Sequence, residues 1–246
     1  MVKPIVSFAF LLLVLTGCQQ TTKPQESNEV TTETVSDSST TSDEKPVVEE
    51  EVLPTVTQID SVIDDTSFIN LALLDSSIKL QFHYADTTNF LKTKVYPCAT
   101  CFLRYEVAKA LVKVNTALKA EGLQLVFFDC YRPRDVQKLM WEVVPDARYV
   151  ANPYKGSSKH NRGGAVDLTL ADADGNLLDM GTGFDHFGKE AHHDYKELPE
   201  QVLQNRVILK EAMALEGFSP IATEWWHYNY KNSADYAVSN QALPCP

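Results

Sequence analysis

Long apolar runs are almost missing from this 246-residue chain. Outside the extreme N-terminus no stretch reaches the roughly 18 apolar residues needed to span a bilayer, which argues against an obligate membrane enzyme. Basic clusters are missing too. Lys and Arg number 22 against 33 Asp and Glu, a net charge of −11. Nucleic-acid affinity comes mainly from Lys and Arg on phosphates, so no nucleic-acid partner is expected. No internal repeat is visible. No second Cys-x-x-Cys accompanies Cys98-Ala99-Thr100-Cys101, so a zinc ribbon is not complete.

What is present divides unevenly. Met1–Cys18 carries one positive charge at Lys3, then a mostly apolar run from Ile5 to Leu15. It is too short to cross a bilayer and reads as a secretory signal. Its end, Leu15-Thr16-Gly17-Cys18, resembles the lipobox of bacterial lipoproteins, which implies that Cys18 is acylated and holds the protein at a membrane. Several acyl chains on one Cys anchor firmly. The expected location is therefore outside the cytoplasm, on a membrane facing the periplasm or the cell surface. From Gln19 to Val52 the chain is rich in Ser, Thr, Glu and Val, with nine Asp or Glu and two Lys. Such a segment lacks the large apolar side chains that offset ordering entropy. Residues 19–55 are thus expected to be a disordered acidic tether with a reach of roughly 30 Å. Residues 56–246 form one domain, long enough to bury a substantial core.

Within that domain the spacing of Val107, Leu111, Val114 and Leu118, closed by Gly122, predicts an amphipathic helix over Tyr105–Glu121. Leu123–Phe128 reads as a buried strand. Pro133 suits a helix first turn, with Val136, Leu139, Met140 and Val143 on one face. Gly163–Leu170 reads as a turn into a strand, and Asp174-Gly175 before Leu177-Leu178 as a hairpin signal. Glu200–Glu216 is predicted helical and Thr223–Tyr230 a strand. Interspersed helices and late, closely spaced strands predict an α+β fold: a small antiparallel sheet flanked by helices. Cys98, Cys101, Cys130 and Cys245 allow three disulfide connectivities in an exported protein; a redox role for the Cys98/Cys101 pair is the alternative.

Chemistry concentrates in two places. His160 and Asp167 lie seven apart around Gly163-Gly164, which can fold the chain sharply, and Glu224 lies three before His227. Two imidazoles and a carboxylate form a recurring catalytic zinc set with a fourth position open to water, and a further carboxylate serves as general base. One difficulty stands out. On an ideal strand, positions three apart face opposite sides, so Glu224 and His227 converge only through a bulge, a strong twist or a helical turn.

Three other features have plainer readings. Asp172-x-Asp174-Gly175-Asn176 lacks the twelfth-position Glu of a calcium loop and reads as a hairpin turn. His192-His193 reads as exposed or structural, with a supporting metal role as the alternative. Trp225-Trp226 reads as packing around the site.

Ser158-Lys159-His160-Asn161-Arg162-Gly163-Gly164-Ala165-Val166-Asp167 resembles the S-x-H-x-x-G-x-A-x-D signature of the D-alanyl-D-alanine dipeptidases. Glu224-Trp225-Trp226-His227 resembles their E-x-W-H element, and Asp129-Cys130-Tyr131-Arg132-Pro133 their D-x-Y-R-P element. Met180–Asp185 followed by His192-His193, and Tyr84 with Asn89-Phe90, resemble two further stretches in family order. The resemblance implies one Zn²⁺ per chain, held by His160, Asp167 and His227. It implies Glu224 as the base that takes a proton from water and returns it to the leaving amine, and Arg132 as the stabiliser of the oxyanion. Asp185 would pair with the substrate ammonium, and Ser158 and Tyr84 would line the pocket. The substrate implied is the small dipeptide D-Ala-D-Ala. Zinc D,D- or L,D-carboxypeptidases acting on peptidoglycan stems, and a non-catalytic zinc-containing cell-wall binding module, are the alternatives. Leu91-Lys92-Thr93 departs from the family, which has a Gly after the Asn-Phe pair.

Overall fold

The computed structural model describes residues 63–242, 244 and 245. The expected signal peptide (1–18) with its Cys18, the whole of the expected tether (19–55) and residues 56–62 of the expected domain lie outside them. Strands β1 (Phe68–Asn70) and β3 (Phe102–Arg104) pair antiparallel on their own. The main sheet has the order β2 (Lys79–Leu80), β4 (Leu123–Asp129), β5 (Ala165–Asp172), β7 (Glu224–Tyr230), β6 (Phe218–Ile221). The expected antiparallel sheet is therefore present, with one parallel pair at its edge, β2 on β4. Helix α1 (Tyr105–Ala120) packs on β4, and α3 (Glu200–Leu215) packs on α1 and β6. The apolar stripe read from the sequence is what α1 buries: Val107, Leu111, Val114 and Leu118 are all in the core. Each such side chain contributes about 1.5–3 kcal/mol by leaving water.

Helix α2 (Arg134–Val143) departs from its sequence pattern. Pro133 is its cap residue rather than its first turn, and Leu139 and Val143 are 47% and 56% exposed. The buried face is Val136, Gln137 and Met140, with the polar Gln137 fully inside because it is bonded to groups on both sides of it. The Asp174-Gly175 turn forms as read: the Asp172 carboxylate accepts from the backbone N–H groups of Asp174 and Asn176. The returning arm, however, makes only an isolated bridge, Ala171 to Leu177.

The Gly163-Gly164 pair has a packing reason. Gly163 has φ +68, and a side chain there would run into Phe68; a Cβ on Gly164 would lie 2.6 Å from the Ser233 Cβ. Two crossing segments touch the turn that presents His160.

Of the three connectivities, the fold selects Cys98–Cys245 and Cys101–Cys130. The redox pairing of Cys98 with Cys101 is thereby set aside. These bridges close loops of 147 and 29 residues, for which chain entropy assigns roughly 3.5–5 kcal/mol each.

His193 gives stability a pH dependence. Its Nε2 is buried without a hydrogen-bond partner. Burial, with Lys210 and Arg206 nearby, pushes its pKa down from 6.5 to about 4. The neutral ring is favoured by folding, whereas the unfolded chain takes up the proton near pH 6.5. This contribution is therefore complete above pH 6.5 and is lost as the pH falls from 6.5 toward 4. Melting measured at pH 7.5 and pH 5 is expected to show a drop that His193→Gln reduces; an equal drop in both chains would remove His193 as a cause.

Candidate active site

Register alone brings the first carboxylates and imidazole together. Asp129 on β4 stands opposite Asp167 on β5, and Asp167 stands opposite His227 on β7. Directly opposed residues in neighbouring strands share a face of the sheet, so three chemistry-bearing side chains form a row across three strands. His160 arrives from outside the sheet, on the short 3-10 turn His160–Arg162 just before Gly163. The Glu224/His227 parity problem is solved by an irregularity: β6 pairs Pro220 with Tyr228 but the next residue, Ile221, with Glu224. The extra residues on β7 swing Glu224 round until its Oε2 is 3.9 Å from His227 Nδ1.

His160 Nε2 lies 3.2 Å from His227 Nδ1 and 3.3 Å from Asp167 Oδ1, and His227 Nδ1 lies 3.0 Å from Asp167 Oδ1. All three side chains are buried, and their ligand atoms fall within 4.8 Å of one another. The outer ring nitrogens decide what the inner ones are. His160 Nδ1 sits 2.7 Å from the Cys130 carbonyl, which can only accept, so Nδ1 carries the proton. His227 Nε2 faces the Asn229 amide oxygen at 3.0 Å and donates to it. In the neutral rings the inner nitrogens are then the ones with lone pairs, aimed at each other and at a carboxylate. Three converging acceptors call for a cation between them, and two nitrogens with one oxygen match the ligand set of a catalytic zinc site. Among the described residues no other group of three His, Cys, Asp or Glu side chains meets this way; His192 and His193 take no part.

Electrostatics follow from this crowding. Burial opposes ionisation of Asp167, but His160 and His227 overcome it and hold its carboxyl far below the usual range. Burial likewise opposes charge on His160, yet Asp167 raises its pKa above the ordinary value. Glu224 is pushed up to about 8 by burial, with His227 pulling the other way.

Arg132 leaves the end of β4 into the same cavity. Its Nε and Nη2 donate to Asp129 Oδ2 at 2.9 and 2.7 Å, and Nη1 donates to Gln137 Oε1 at 2.8 Å. Asp129 is in turn fixed by the Tyr96 hydroxyl and the Cys130 N–H. Nη2 reaches within 3.7 Å of Asp167 Oδ2. Arg132 is thus held from two sides with Nη2 toward the metal-ligand group, and Asp129 is its orienter.

The cavity holds about 230 Å³, smaller than the usual drug-sized range of about 300–1,000 Å³. Glu224, Ser158, Tyr84 and Asp185 all line it, together with Trp226; Trp225 packs behind. Asp185 is held in left-handed backbone (φ 59) and accepts from the Tyr84 hydroxyl at 2.8 Å. Burial raises its pKa to about 8, partly opposed by that hydrogen bond. Where the family has its Gly, the turn still forms: Lys92 takes a left-handed φ of 56, and Asn89 bonds across the turn to Leu91 N and Thr93 O. Every sequence-assigned side chain of the domain therefore reaches one cavity. Asn229, Gln137, Tyr96 and the Cys130 carbonyl were not foreseen.

Comparison with known proteins shows the family. Residues 64–245 match the D-ala-D-ala dipeptidase peptidase family. The D-alanyl-D-alanine dipeptidase of Escherichia coli is 36% identical over 182 residues, 74% of this chain and 94% of that protein. That of Enterococcus faecalis is 30% identical over 184 residues, 67% and 91% of the two chains. A solved structure of the vancomycin resistance D,D-pentapeptidase VanY with Zn(II) is 18% identical, covers 55% of this chain and 75% of that one, and has a TM-score of 0.36. With the match running through all the elements that build the cavity, the chain belongs to the D-ala-D-ala dipeptidase family of peptidases.

Proposed function

We propose that the protein is a zinc dipeptidase that hydrolyses D-Ala-D-Ala to two molecules of D-alanine. Support comes from relatives bearing that name over nine-tenths of their length, and the observation that carries the chemistry is a buried carboxylate, Glu224, 3.9 Å from the metal-ligand group. His160, Asp167 and His227 would hold the ion. Zinc so held supplies Lewis acidity, polarising a carbonyl and lowering the pKa of a coordinated water to about 7. Glu224 takes the proton from the attacking water and gives it to the leaving amine. Arg132, fixed by Asp129 and Gln137, faces the oxygen on which negative charge develops, a role worth about 10²–10³-fold. Asp185 receives the substrate ammonium, whose positive charge offsets the cost of ionising a buried carboxylate. Tyr84 holds Asp185, and Ser158 lines the pocket wall. A small cavity with an anion in it favours a free dipeptide over a longer peptide.

Metal analysis combined with D-alanine release tests the reading. One zinc per chain and faster cleavage of the free dipeptide than of an N-acylated tripeptide are expected; the reverse preference would establish a carboxypeptidase, and binding to peptidoglycan without turnover a binding module.

The same proposal includes export and anchoring: cleavage before Cys18, acylation of that residue, and a tether over 19–55. The apolar run before Leu15-Thr16-Gly17-Cys18 supports it, as do two disulfides, which persist in oxidising compartments. Cys18→Ser is expected to move the protein from the membrane to the soluble fraction; unchanged membrane recovery would refute lipidation at this residue.

A further inference from the structure

Arg206 is a buried charge with no carboxylate in salt-bridge contact among the described residues; Asp179 acts on it only from further off. It projects from α3 and is 5% exposed. Its donors go instead to three backbone carbonyls: Nε to Met180 at 2.8 Å, Nη2 to Glu190 at 2.9 Å and Nη1 to His192 at 3.1 Å. The neighbouring Asn205 donates to the Asp179 carbonyl at 2.9 Å. Burying a guanidinium is costly, and an apolar side chain would fill the space at less expense. The fork does something an apolar residue cannot: one rigid group grips both ends of the segment from Asp179 to His193.

That segment has no strand of its own, only the 3-10 turn Lys189–Ala191. It is fastened at other points too, Asp185 itself among them through the Tyr84 hydroxyl. Trp225 Nε1 donates to Thr182 Oγ1 at 2.8 Å, Gly181 (φ 83) packs against Leu198 and Val202, and Phe184 stacks on Phe128 with centroids 4.8 Å apart. Between the Arg206 anchors stands Asp185, strained into left-handed backbone and turned into the cavity. A non-glycine residue keeps such a conformation only when its surroundings over-determine it.

We propose that Arg206 is a positioning residue for substrate selection: by clamping the Asp179–His193 segment it fixes Asp185 at the place where a free amino terminus is received. This rests on the dipeptidase reading given above. Arg206 does not line the cavity, so its loss is expected to act on binding of the ammonium end and not on the chemical step.

The test uses the zinc-loaded full chain, D-Ala-D-Ala and its N-acetyl form. Arg206→Lys keeps the charge but cannot span three carbonyls. It is expected to raise KM for the free dipeptide about tenfold, with kcat within about twofold, and to lower the preference for the free over the acetylated compound by a similar factor. Amide hydrogen exchange in residues 180–192 is expected to speed up as well. Asn205→Ala, which removes one of the four hydrogen bonds, is expected to move the same quantities less, and stands in if Arg206→Lys does not fold. A variant with wild-type preference, or with unaltered exchange, overturns the positioning role. A wild-type chain that cleaves the acetylated compound as readily as the free one overturns the dipeptidase reading instead.

Discussion

Replacing Glu224 with glutamine is expected to cut kcat by about 10²–10⁴-fold, the usual contribution of a positioned proton carrier, while the chain still binds one zinc. Gln is nearly the same size and keeps the hydrogen-bonding oxygen, so the cavity retains its shape; it loses only the ability to accept and return a proton. Glu224 is not among the three converging ligand atoms, which is why metal content should be unaffected. Stability should not fall either. The carboxylate is 8% exposed, and burial already raises its pKa to about 8, so a neutral amide removes a charge that folding disfavours. A dication held by His160, Asp167 and His227 would oppose that shift and favour the ionised carboxylate. The decisive measurement is paired: turnover of the free dipeptide and zinc per chain on the same preparation. A kcat within tenfold of wild type would remove Glu224 as the base, and a loss of zinc would make it a ligand.

The contrast between Glu224 and its neighbours shows what a sequence can carry. His160, Asp167, His227 and Arg132 were legible because the residue types are chemically unusual and their local frames (a Gly pair, a strand end before Pro133) are short-range. Alternation on β7 also places His227 and Asn229 on one face, since they are two apart. The bulge that turns Glu224 toward His227 was not legible. It depends on how β6 registers against β7, a long-range choice of pairing. Helix α2 failed differently. Its apolar spacing pointed to Leu139 and Val143, yet the helix turns Gln137 inward because an Arg132 N–H and the Ala151 carbonyl await it there. Polar demands of the site outweighed the apolar pattern. The cysteine pairing was likewise open to three solutions until the fold brought Cys130 beside Cys101 and Cys245 beside Cys98.

Asp167→Asn tests the remaining part of the site, its affinity for the ion. Asp167 supplies the only negative charge in the three-atom group, and it lies within 3.3 Å of both inner imidazole nitrogens. With the outer nitrogens of His160 and His227 turned to Cys130 and Asn229, leaving the inner ones for the ion, an amide in place of the carboxylate leaves three neutral donors around a dication. It also introduces an NH₂ that can point at a lone pair and fill the gap itself. Removing an outer hydrogen-bond partner of a ligand costs about 10–100-fold in metal affinity, so loss of the anionic ligand should exceed a hundredfold. The effect is visible without any substrate. Zinc at a hundred times its dissociation constant stabilises a folded protein by about 2.7 kcal/mol, and in a domain of this size about 1 kcal/mol moves Tm by roughly 2–4 °C. The wild-type Tm should therefore rise by about 5–10 °C on zinc addition, and the Asp167→Asn chain should show almost none of that rise at the same concentration. If the variant keeps the full shift and one zinc per chain, the ion is held elsewhere, and the convergence of these side chains serves some purpose other than metal binding.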